Sequence, residues 1–267
     1  MSNQQQMSFL QHLDELRWRL VRIAIAVLLV GVVIWVYQEW IMNHLFLALK
    51  DHDFITFRLL CTYFGICVSD TTVKMQSMTV SGQFNYAMMM SIMGGLIVSS
   101  PFIFYQLWAF VKPGLKKNEI SATKGMVFYI SLCFLTGVLF GYFVVAPLTV
   151  QFFGSFQISQ EIENNFTVGS YVGTVISTVF YSGLLFLLPI ISYILTKIGL
   201  ITPVYLRKIR KYAVVVILLA AAVITPSPDW MSQLIVFLPL FALYELSILV
   251  AARVTKQRVK EDEEEWS

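Results

Sequence analysis

Three long stretches of the chain carry no charged side chain: between Lys74 and Lys112, between Lys124 and Glu161, and between Glu163 and Lys197. Each exceeds the ~20 apolar residues that take a helix across a ~30 Å hydrocarbon core. Polar positions return only in short clusters, and the alternation predicts six helical spans. They lie near Leu20–Tyr37, Phe84–Phe104, Met126–Val150, Tyr171–Thr196, Tyr212–Thr225 and Met231–Ala252. The last two read as short: Tyr212–Thr225 gives about 21 Å of helix before Pro226-Ser227-Pro228-Asp229, and the run after it meets Glu245. A pair of that length thins the bilayer or packs against partners. Pro101, Pro147, Pro189 and Pro239 fall inside spans, where each removes a backbone donor and bends its helix. The pattern predicts an all-α polytopic membrane protein, one integral membrane domain over residues 1–267. Its kinked helices can enclose a concave face.

Charge then orients the spans. Of 19 Lys and Arg, 16 lie in segments on one side: Arg17, Arg19 and Arg22; Lys112, Lys116, Lys117 and Lys124; Lys197, Arg207, Lys208, Arg210 and Lys211; Arg253, Lys256, Arg258 and Lys260. The other side has Lys50, Arg58 and Lys74. The positive-inside rule places both termini in the cytoplasm. The net charge of +3 therefore reports topology, and no nucleic-acid partner is implied. A composition 57% hydrophobic with a mean hydropathy of +0.71 agrees. The first apolar run lacks a small-residue cleavage site and reads as a retained span.

Outside the spans the pattern predicts a cytoplasmic amphipathic helix (residues 1–19), a periplasmic cap loop (38–83), a cytoplasmic loop (105–125) and a charged cytoplasmic tail (254–267). Phe54, Ile55, Phe57, Leu59, Leu60 and Phe64 make the outer segment a structured cap rather than a linker. Two cytoplasmic stretches hold the polar groups that need explaining. In the first, His12, Glu15, Arg19 and Arg22 share one helical face and Phe9, Leu13, Leu16 and Leu20 another. Glu15 and Arg19 stand at i, i+4, a spacing that adds a few tenths of a kcal/mol to a helix. In the second, Tyr105 and Trp108 suit an interfacial aromatic belt and Pro113-Gly114 a turn. There Glu119 is the one acid among four lysines.

Together these stretches resemble the TatC family, the multispanning receptor subunit of the twin-arginine protein translocase. The pattern F-x-x-H-L-x-E-L-R-x-R-L is met at Phe9, His12, Leu13, Glu15, Leu16, Arg17, Arg19 and Leu20. The pattern Y-Q-x-W-x-F-x-x-P-G-L-x-x-x-E is met at Tyr105, Gln106, Trp108, Phe110, Pro113, Gly114, Leu115 and Glu119. Shorter matches run through Gly141-Tyr142-Phe143, Pro147-Leu148, Gly199-Leu200-Ile201-Thr202-Pro203, Leu206-Arg207-Lys208, Thr225-Pro226, Asp229 and Ser232-Gln233. The resemblance implies a receptor in the bacterial cytoplasmic (inner) membrane that binds signal peptides bearing an Arg-Arg pair. It implies recruitment of TatA- and TatB-like single-span subunits into an oligomeric complex, export driven by the proton-motive force, contact with membrane lipid, and no cofactor. By that match Glu15 and Glu119 meet the peptide guanidinium groups, which carboxylates bind best through charge-assisted forks. Phe110, His12 and Gln106 contribute beside them, and Thr225 and Gln233 contact the partner subunits.

The chain departs from the family pattern at Leu187, where Glu or Gln is usual, and at Ser227, one residue more than the usual T-P-P-D. Leu47-Ala48-Leu49 stands where a Pro is often found. Glu245, eight residues before Arg253, is placed near the cytoplasmic interface. Cys61 and Cys67 share the outer segment, where a disulfide is permitted, and Cys133 reads as packing. His44 and His52 lie near the two cysteines without completing a zinc set, so no metal is implied. An enzyme is set aside, because the three histidines lie outside the spans and no acidic pair lies inside one. The remaining alternative is a secondary transporter of a small solute, which predicts an inverted repeat and a polar midplane site. Neither is visible.

Overall fold

The computed structural model describes residues 9–51, 53–64, 74–112, 125–156, 159, 165–199, 201–224 and 230–265. Along the chain run α1 (Phe9–Val36), α2 (Gln38–Ile41), a π-helical turn (Met42–Phe46), a 3-10 turn (Leu47–Lys50), α3 (Ile55–Phe64) and β1 (Lys74–Gln76). Next come α4 (Gly82–Val98), α5 (Ser100–Val111), α6 (Met126–Phe140), a π-helical segment (Gly141–Val145), α7 (Ala146–Ser155) and β2 (Asn165–Thr167). The chain ends with α8 (Val168–Leu185), α9 (Leu188–Ile198), α10 (Pro203–Lys208), α11 (Arg210–Ile224) and α12 (Trp230–Glu265).

Two compact units emerge. The first comprises residues 1–41 and 84–132. Its α1 is one unbroken helix of 28 residues, about 42 Å long, so the amphipathic stretch is its first turns and not a separate surface helix. Small residues let α1 and α4 approach closely. A Cβ on Gly95 would stand 2.7 Å from the Val27 carbonyl oxygen, and one on Gly31 would stand 3.2 Å from that of Ser91. In lipid, where apolar contact alone gives little, such backbone approach is what joins helices. The second predicted span falls on two helices rather than one: α4 and α5 meet at 57°, with Pro101 in the first turn of α5, where its missing N–H breaks the ladder. Helix α5 continues to Val111, so residues 105–111 of the predicted loop are helical, with Gln106 and Phe110 on the side toward α1.

The second unit comprises residues 42–83 and 133–267. Its helices α6 and α7 are joined through the π-helical segment. Pro147 has no N–H to return to the Phe143 carbonyl four residues earlier, and the Thr56 hydroxyl donates to that carbonyl instead. The Tyr142 hydroxyl donates to the Leu45 carbonyl at 3.0 Å, and that of Tyr171 donates to the Phe46 carbonyl. Phe54 packs between Tyr142 and Phe143, with ring centroids 5.9 and 6.0 Å away, while Leu49 and Phe57 are buried. The segment from Met42 to Phe64 is thus pinned to α6–α8 by three hydroxyl-to-carbonyl bonds and an aromatic cluster. Gly141 and Gly137 set α6 against α8: a Cβ on either would come within 3 Å of Ser182 or Phe186.

Helices α10, α11 and α12 share a buried core that includes Leu206, Ile217, Ala221, Val236, Leu240 and Ile248. Helix α9 stops at Gly199, whose φ of 86° makes it a left-handed cap. The Thr202 hydroxyl then caps α10 by accepting from the Tyr205 N–H. Leu187 stands half-buried at the break between α8 and α9, just before Pro189.

Among the described residues, four helical stretches are long and apolar enough to cross a membrane: His12–Val36, Met126–Ser155, Val168–Lys197 and Val236–Lys256; the bent pair α4–α5 makes a fifth if it counts as one span. Helix α11, with 15 residues and about 22 Å, is as short as predicted. Its neighbour is not. The predicted short sixth span is part of a 36-residue helix, which carries Pro239 inside it and runs on through residues 254–265 of the predicted tail. A helix absorbs one proline when neighbouring packing holds the turn, and Val236 and Leu240 are buried on either side of this one. The all-α expectation holds, with one small addition: β1 and β2 form a parallel two-stranded ribbon of three residues each, Lys74 opposite Asn165 and Gln76 opposite Thr167.

Candidate functional site

Helical spacing builds the site from two faces of the first unit. On α1, His12, Glu15 and Arg19 follow at intervals of three and four, which stacks them along one side. On α5, Gln106 and Phe110 are four apart and likewise share a side. Where α1 and α5 pack together, the two rows meet.

The imidazole of His12 stacks on the ring of Phe110, centroids 4.3 Å apart and 14° from parallel. Arg19 donates to Glu15 Oε1 from Nε at 3.0 Å and also from Nη2. Its Nη1 donates to Oε1 of Gln106 at 3.2 Å. The side chains of Arg19 and Glu15 are only 17% and 24% exposed, and Gln106 is buried. A single guanidinium therefore clasps an acid four residues away on α1 and an amide on α5, 87 positions from Arg19 itself. Among the described residues, the second carboxylate oxygen, Glu15 Oε2, is buried and meets no hydrogen-bond donor. Leaving a buried acceptor unmet costs about 1–3 kcal/mol, so the site keeps an unfilled demand for a donor.

Four of the five residues expected to bind peptide are thus brought together: His12, Glu15, Gln106 and Phe110. Glu119 lies outside the described residues, as do Thr225 and Cys67. Gln233 donates through Nε2 to the Leu218 carbonyl at 3.1 Å, and so ties α12 to α11. Cys61 is disulfide-bonded and Cys133 is a free thiol. Asp14 and Arg17 form an exposed pair at 2.8 Å, and Arg17 lies over the Trp18 ring. Among the described residues no group of three His, Cys, Asp or Glu could hold a metal ion. The cluster can accept cationic donors and stack a flat group.

Sequence reading missed the partner of Glu245. Spacing along the chain relates Glu245 to Arg253, whereas the structure pairs it with Arg210, Nη2 to Oε2 at 2.7 Å. The signal was present in the numbering. In an antiparallel pair of helices α11 and α12, positions 210 and 245 are equidistant from the middle of the connection and therefore opposite each other. The Tyr244 hydroxyl, one residue before, donates to the Leu206 carbonyl at 2.7 Å.

A family model described as "Sec-independent protein translocase protein (TatC)" matches residues 11–239. The TatC protein of Blattabacterium sp. subsp. Periplaneta americana is 32% identical over 261 residues, spanning 95% of this chain and 98% of that one. TatCy of Bacillus subtilis is 33% identical over 257 residues, 96% of this chain and 92% of the relative. A crystal structure of the twin-arginine translocase receptor TatC superimposes with a TM-score of 0.69 at 30% identity. It covers 91% of this chain and 99% of the crystallised one.

Proposed function

The chain belongs to the TatC family of Sec-independent protein translocase proteins, and on that premise we propose that it is the receptor subunit of a twin-arginine translocase. It is a multi-pass membrane protein and a component of a protein translocase, a role that calls for no catalytic chemistry. In this reading the His12–Glu15–Gln106–Phe110 cluster is the cytoplasmic site for signal peptides that carry adjacent arginines. The unmet Oε2 of Glu15 is the observation that carries it, because a buried carboxylate oxygen with no donor is a place for a guanidinium. Phe110, already stacked on His12, offers a face for the flat side of that group. Glu119, seven residues beyond Lys112, supplies the second carboxylate.

The same reading places the protein in the bacterial cytoplasmic membrane, with both termini in the cytoplasm. Single-span partners of the TatA and TatB kind would then dock against the α11–α12 hairpin near Thr225 and Gln233. Helix α11 turns Tyr212, Val215, Val216 and Leu219 outward, each more than half exposed, and at 15 residues it is too short to match a ~30 Å core without neighbours. Those exposed residues meet partner helices or lipid.

Site-specific photo-crosslinking tests the proposal. Probes beside Glu15 and Glu119 should capture an Arg-Arg signal peptide, and probes on α11 should capture single-span partners. Glu15→Ala and Glu119→Ala should each weaken peptide binding by on the order of tenfold, about the 1–3 kcal/mol of a charge-assisted pair. Unchanged binding and export in the double variant would remove the assignment.

A further inference from the structure

We infer that Arg19 is a specificity-determining residue: it is a resident guanidinium on Glu15, which an incoming arginine must exchange for its own. The inference rests on the peptide-binding reading above and says how that site tells arginine from lysine.

Arg19 uses Nε and Nη2 on one oxygen of Glu15 and Nη1 on Gln106. It does not span the carboxylate with one donor on each oxygen. The two-oxygen fork is the form in which guanidinium and carboxylate fit best, and the resident pair leaves it unmade, with Oε2 buried and bare. An arginine entering the site gains both oxygens once Arg19 slides off Oε1. It replaces the contact it breaks and satisfies an acceptor that had none. A lysine ammonium is a point charge with no fork. It meets Oε2 at one point and cannot match the two bonds Arg19 already makes, so for lysine the resident guanidinium remains a competitor. Arg19 keeps a tether to Gln106 during the exchange and can return when the peptide leaves.

Arg22 provides the control. It lies one turn further along α1 and is exposed; removing it changes the local charge by the same unit without touching Glu15. The measurement is equilibrium binding of a labelled Arg-Arg signal peptide and its Lys-Lys counterpart to the full-length protein in detergent. The variants are Glu15→Ala, Arg19→Gln, Arg19→Lys and Arg22→Gln.

Arg19→Gln should tighten the Lys-Lys peptide by roughly five- to tenfold, the scale of one charge-assisted contact, and the Arg-Arg peptide by much less, so that their ratio collapses. Arg19→Lys, which keeps the charge, should lower the ratio in the same direction. It decides the matter if Arg19→Gln does not fold. Arg22→Gln should shift both peptides slightly and equally. Weaker Arg-Arg binding in Arg19→Gln would make Arg19 a support for Glu15 and overturn the exchange. Equal tightening of both peptides, as for Arg22→Gln, would reduce Arg19 to bulk electrostatics and overturn it too. If Glu15→Ala leaves Arg-Arg binding intact, the peptide-binding reading itself is at fault, an outcome separable from the other two.

Discussion

At the scale of single residues, Gln106 decides how well the site is held. It is 5% exposed, and its carbonyl oxygen takes the third donor of Arg19. Gln106→Leu keeps the volume and removes the acceptor. It should lower stability in detergent by about 1 kcal/mol, read as an earlier thermal transition, and a transition unmoved by the change would show that the Arg19–Gln106 bond is not maintained. Half of this arrangement was legible in the sequence and half was not. Glu15 and Arg19 are four apart on a helix, so their pairing follows from spacing alone. The bond from Arg19 to Gln106 and the stack of His12 on Phe110 join positions about ninety apart, and no local pattern reports such a contact. The two motifs named those residues by resemblance. It took the close approach of α1 to its neighbours to show that they touch.

At the scale of elements, one proline marks a bend, at the start of α5, and another frees a carbonyl. Pro147 leaves the Phe143 oxygen to Thr56, and this bond with those from Tyr142 and Tyr171 pins the segment after α2. The segment's apolar residues announced a structured cap, but which backbone oxygens hold it depends on two π-helical turns that hydrophobic periodicity does not register. We propose that Cys67 is the partner of the bonded Cys61 and closes this cap at its far end. Maleimide should then label neither cysteine in native membranes until a reductant is added; labelling of both without reduction would exclude the bridge. The length of α12 escaped prediction for a related reason. Pro239 and Glu245 both look like interruptions, yet one is held by packing on either side and the other is neutralised by Arg210.

At the scale of the whole molecule, the alternation of charged clusters with uncharged runs pointed to a helical membrane protein, but among the described residues four helices, or five with the bent pair, are long and apolar enough to span, against the six expected. It could not show where α4–α5 bends. The helix α1 gives this larger picture a mechanical content. It is continuous from Phe9 to Val36, with Glu15 near one end and the backbone crossing at Gly31 and Gly95 about 24 Å further along. Such a helix would act as a lever if it pivoted at that crossing, with the carboxylate at its far end. A tilt of about ten degrees at the pivot sweeps Glu15 through about 4 Å, more than a hydrogen bond tolerates. A tilt of that size would break the bridge that Arg19 makes between Glu15 and Gln106, so a change of the α1 angle on peptide binding is the outcome to look for. Spin labels on Leu20 and Leu107, both exposed, should change their separation when an Arg-Arg peptide is added. An unchanged distance at saturating peptide would mean that the lever does not turn.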